Sequence, residues 1–122
     1  MSHAAANAYA RAAQTVATPR DIEAQALLKA AGKLQEVVDR WDDSTATIHE
    51  ALTFNRKLWS ILLSAAIDND NPQAMDVRQR IANIGTFVMT RTMELQLDPQ
   101  RDRMKPLIDI NRNLAAGLSG NG

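Results

Sequence analysis

IHEALTFNRKLWSILLSAAI, residues 48–67, places Ile48, Leu52, Asn55, Trp59, Leu62 and Ala66 at alternating intervals of four and three. That repeat is one buried face of an α-helix, so the stretch predicts helix and excludes strand. Asn55 sits on this face where the pattern calls for an apolar side chain. The run LWSILLSAAI that follows is far shorter than the roughly 20 apolar residues of a membrane span, so the helix belongs to a packed core and no contact with a membrane is expected.

The same reading extends outward in both directions. The helix runs from about Thr45 to Ile67, where Asp68-Asn69-Asp70-Asn71 breaks the pattern. Upstream, Thr18 reads as a helix cap and Pro19 as the first helical residue, whose missing N–H costs nothing there, with Asp21 near the positive end of the dipole. Leu27, Ala30, Leu34, Val37 and Trp41 then mark a buried face, which ends at Asp42-Asp43-Ser44. Downstream, Asn71 as cap and Pro72 in the first turn predict the start of a helix carrying Val77, Ile81, Ile84, Val88 and Leu95, with Met89 widening the face and Arg91 interrupting it. Asp98-Pro99 stops it. A last helix, about Arg103 to Ala116, carries Leu107, Asn111, Leu114 and Leu118, and Gly117 is the expected left-handed cap. At the amino end Ala5, Tyr9, Ala12 and Val16 define a short helix with only two large anchors, predicted to be peripheral or mobile.

No segment alternates with period two between hairpin turns, so a sheet has no source. The predicted fold is all-α: an up-and-down bundle of four main helices plus the short N-terminal one, because short connections make successive helices antiparallel neighbours. A chain of 122 residues is sized for one core, so residues 1–122 are read as a single domain, with 1–17 peripheral, 18–118 the bundle and 119–122 a disordered tail.

Composition narrows function. The chain has no cysteine, which removes thiolate metal sites and disulfides and suits a cytoplasmic protein. The N-terminus MSHAAANAYARAAQ has no long apolar core of a secretory leader. Formal charge is zero; seven basic and ten acidic side chains precede Arg78, and seven and four lie from it onward. That small excess makes no phosphate-neutralising stripe, and five aromatic residues offer little for stacking bases, so direct binding of nucleic acid is not expected.

Catalytic chemistry finds no support. His49-Glu50 opens like the helical zinc-protease motif, but Thr53 stands where the second histidine must be. The Asp68–Pro72 stretch opens like a calcium loop, yet Gln73 and Gln79 replace its required glycine and closing carboxylate. Scattered glycines exclude a phosphate-cradling loop. The chain is therefore read as a non-enzyme without cofactor or metal. What remains is a pair of seam asparagines, Asn55 and Asn111, each followed by arginine. A buried amide needs partners, so each is expected to bond a facing group, the other asparagine among the candidates, and to act as a structural polar seam that fixes register. Arg56 and Arg112, one position round, are candidates for contact with a carboxylate or helix end of a partner. Trp59, Met89, Met93 and Tyr9 complete the candidate partner-binding set.

ALTFNRKLW, then DNDNP, RIANIGTFV and the closing LIDINRNLAAGL, with the earlier AYARAAQTVATPRDIEAQALLKAA, together resemble the FlaF family of flagellar biosynthesis regulators over nearly the whole chain. The resemblance implies a small cytoplasmic protein that promotes flagellin production and export. It implies flagellin as partner, and FlbT, which restrains flagellin translation, as a second. The favoured expectation is a flagellin-binding export chaperone and adaptor whose last two helices or N-terminal helix expose an apolar strip rimmed by Arg56 and Arg112. The alternative is a post-transcriptional regulator of flagellin translation acting through FlbT or flagellin mRNA without binding flagellin. A homodimeric scaffold that fills its own groove is the third.

Overall fold

The structure, a computed structural model, describes residues 19–41 and 45–120. It contains helices α1 (Pro19–Asp39), α2 (Thr45–Ile67), α3 (Met75–Leu97) and α4 (Lys105–Leu118), with one 3₁₀ turn, Arg101–Met104, leading into α4. No strand occurs among the described residues. The short N-terminal helix expected around Tyr9, and the cap at Thr18, fall outside them.

Side-chain pairs fix the directions. Thr53 and Gln96, Asn55 and Thr92, Leu63 and Gly85, and Ala66 and Arg78 meet across α2 and α3 with falling numbers on one helix against rising numbers on the other, so the pair is antiparallel. On α1, Lys33 faces Glu50 at 3.8 Å, and Lys29 and Lys33 lie 5.6 and 5.3 Å from the Phe54 ring, which sets α1 antiparallel to α2. Around the bundle the order is α4, α1, α2, α3: α1 packs mainly on α4, α2 on α3 and α1 on α2, whereas α3 and α4 touch little. The predicted up-and-down bundle is thus realised, with its core built from Leu27, Leu34, Leu52, Trp59, Val88 and Leu107.

Two boundaries differ from the sequence reading. α3 begins at Met75 and not at Asn71-Pro72, and its N-cap position is Ala74, with no side-chain cap. Asn71 is engaged elsewhere. Its Nδ2 donates to Ala65 O at 2.7 Å, closing the end of α2, while its Oδ1 accepts from Gln73 N at 2.9 Å in a local turn that holds Pro72 outside the helix. Gly117 lies within α4, and the left-handed glycine is Gly120, with φ 77°. The helix runs two residues past Ala116 because Leu118 is buried and continues the apolar face of α4 past Gly117.

Candidate functional site

The most polar feature of the interior is a chain of side chains drawn from three helices. Trp59 Nε1 donates to Asn111 Oδ1 at 2.8 Å, Asn111 Nδ2 to Asn55 Oδ1 at 2.8 Å, and Asn55 Nδ2 to Thr92 Oγ1 at 3.2 Å. Thr92 Oγ1 passes the sequence on to Val88 O at 2.6 Å. All four side chains are fully buried. The direction is self-consistent: turning either amide round would set donor against donor, so the indole at one end and the backbone carbonyl at the other fix both amides. The cluster ties α2, α3 and α4 at one level. It leaves Trp59 no surface to offer a partner. Thr92 was missed in the sequence although it lies four residues after Val88 and three before Leu95, squarely on the buried face.

Arg56, Met89 and Met93 come together on the outer face between α2 and α3. On α2, the spacing of Thr53, Arg56, Ser60, Ser64 and Ile67 places them on the side that turns toward α3. On α3, Ala82, Thr86, Met89, Met93 and Leu97 recur at helical intervals on the side that turns toward α2. The Thr53–Gln96 and Asn55–Thr92 bonds set the register, so Arg56 lies opposite Thr92 and beside Met89 and Met93. Met93 is half exposed and Met89 half-buried against the core. Arg56 is the only charged side chain among these residues; Arg78, one turn before Ala82, also faces α2 but is buried and bonded to Ala66 O. The Nε of Arg56 is buried without a hydrogen bond.

Arg112 belongs to a different face. It lines a groove of about 470 Å³ between α1 and α4, with Val38, Arg101, Lys105 and Asp109. Given the order of helices, this groove is on the opposite side of the bundle from Arg56, so the two arginines do not rim one strip. Another concavity, about 710 Å³, opens at the α2–α3 turn beside Pro19, Arg20 and Glu23. Burial pushes the Glu23 carboxyl above the usual glutamate value, and the Arg20 charge partly restores it. Among the described residues no three His, Asp or Glu side chains gather as a metal site, and no helix is long and apolar enough to cross a membrane.

The family model for flagellar protein FlaF matches residues 5–118. This chain belongs to the FlaF family. Its role is therefore a flagellar one. No curated sequence and no solved structure matches the chain.

Proposed function

We propose that this FlaF-family protein is a non-enzymatic, cytoplasmic adaptor that binds flagellin before export and promotes its synthesis and secretion. The observation that carries the reading is the α2–α3 face: two uncharged strips with exposed Met93 and Leu97, broken by the one cation Arg56. Methionine is flexible and polarisable, and a row of such side chains flanked by small Ser, Thr and Ala residues accepts an amphipathic helix through repeated apolar anchors. Flagellin has terminal helical segments whose apolar strips need cover before assembly, so it has the chemistry of such a ligand. The family's flagellar role supports the same assignment.

Isothermal titration of the protein with monomeric flagellin, whole and trimmed at each end, tests it. Saturable binding near one to one, lost on one trimming, is the expected result. Absence of heat with whole flagellin overturns the reading and moves FlbT to first candidate.

A further inference from the structure

The state of Arg56 is unusual for a cation in so small a bundle. Other half-buried cations have an acceptor: Arg91 Nη1 donates to Arg103 O at 3.4 Å and its Nε lies 3.6 Å from Glu94 Oε1, Arg103 reaches Glu94 at 3.5 Å, and Lys33 pairs with Glu50. The buried Arg78 donates from Nε to Ala66 O at 2.8 Å, at the negative end of α2. The remaining cations of the described residues stand exposed, where water solvates them. Arg56 alone is half-buried with no acceptor among the described residues; its Nε is buried without a hydrogen bond, as is that of Arg91, but Arg91 has Arg103 O and Glu94 as partners for its guanidinium. A guanidinium N–H withdrawn from water without a partner is a standing penalty. A carboxylate docking on the outer face gains a charge-assisted pair with the guanidinium.

We infer that Arg56 is the polar anchor of the α2–α3 face, and that the occupant of this face is an amphipathic helix carrying an Asp or Glu within its apolar strip. This rests on the flagellin-binding reading and specifies what the bound segment contains. The surroundings favour a carboxylate over other groups. Neither Thr53, Ser60, Met89 nor Met93 carries charge, so an incoming anion meets no competitor and no repulsion on the two strips. The planar fork of the guanidinium suits two parallel bonds to one carboxylate. The methionines on one side then supply apolar contact while the arginine sets position along the helix. Such an arrangement selects register as well as partner.

The test is a double-mutant cycle by titration with monomeric flagellin and with its binding terminal segment. Arg56→Gln is expected not to lower the Tm of the protein, since no internal bond is removed and a buried unpartnered N–H goes with it, and to weaken binding at least about thirtyfold, as loss of one member of a charge pair does. Arg56→Lys should fall between them because it keeps the charge and loses the fork. Replacing each Asp and Glu of the bound segment by its amide in turn should find one whose loss matches that of Arg56→Gln and is not additive with it. Undiminished binding by Arg56→Gln overturns the inference and leaves the flagellin reading intact. A parallel fall in Tm, or no acidic residue coupled to Arg56, overturns it as well. Sedimentation of the protein alone as a dimer that Arg56→Gln dissociates gives the face to a second copy and has the same consequence. No binding by the parent protein overturns both.

Discussion

Asn55 is tolerated on an apolar seam because its hydrogen bonds are answered on both sides. Its oxygen accepts from Asn111 and its amide donates to Thr92, so the polar group enters the core already paired. Removing Asn55 leaves its two neighbours each short of one bond. Asn55→Ala is expected to lower stability by about 1–3 kcal/mol in urea melts, chiefly through the stranded Asn111 Nδ2, while Thr92 keeps its bond to Val88 O. The joint change Asn55→Leu with Asn111→Leu removes both amides, and although it strands the Trp59 indole N–H, it should destabilise less than the sum of the single changes. Additive losses would contradict the paired account. Glu23 offers a pH-dependent counterpart. A carboxyl with a higher pKa folded than unfolded binds a proton on folding, so stability falls as pH rises between its unfolded and folded values. Glu23→Gln should therefore raise Tm at neutral pH and leave it unchanged well below the usual glutamate pKa. A Tm difference of the same size at both pH values would argue against burial as the cause.

At the scale of the element, glycines in similar helical sequence have opposite roles. A Cβ at Gly85 would collide with the Leu63 side chain, whose Cγ would be 2.8 Å away, whereas one at Gly32 would meet nothing within 4 Å. Gly85 thus lets α3 approach α2 closely beneath the Met-lined face. Gly32→Ala is expected to stabilise by up to about 1 kcal/mol, from helix propensity alone. Gly85→Ala should destabilise by roughly 1–2 kcal/mol, overpacking outweighing the same propensity gain. Thermal melts of the two variants check both signs. The limits of α2 were legible in the sequence because periodicity, Thr45 and the Asp68–Asn71 break agree. The start of α3 was not, because Asn71 can cap the helix that follows or close the one before, both are local roles with the same residue pattern, and only the bond to Ala65 O, six residues back, decides between them. Gly117 misled for a related reason: a glycine near a helix end signals a cap only if the apolar face stops there, and Leu118 prolongs it.

For the molecule as a whole, the order of helices around the axis decides which candidate residues share a surface. Periodicity marks a buried face on each helix and says little of which helices are neighbours, so Arg56 and Arg112 looked equivalent in sequence and lie on opposite sides. Asn111 with Asn55 could be suspected from their common Asn-Arg setting, but the role of Trp59 as the donor that orients Asn111 required the packed core. The outcome is a bundle with one face, α2–α3, whose one unpartnered half-buried cation is Arg56, and one that is mixed in charge, α1–α4. The measurement that tests this division most directly is amide hydrogen exchange of the protein with and without saturating monomeric flagellin. Slowed exchange confined to the α2 segment around Arg56 and the α3 segment from Ala82 to Leu97 is the predicted result. Protection centred on the α1–α4 groove around Arg112, with the α2–α3 segments unchanged, would contradict it.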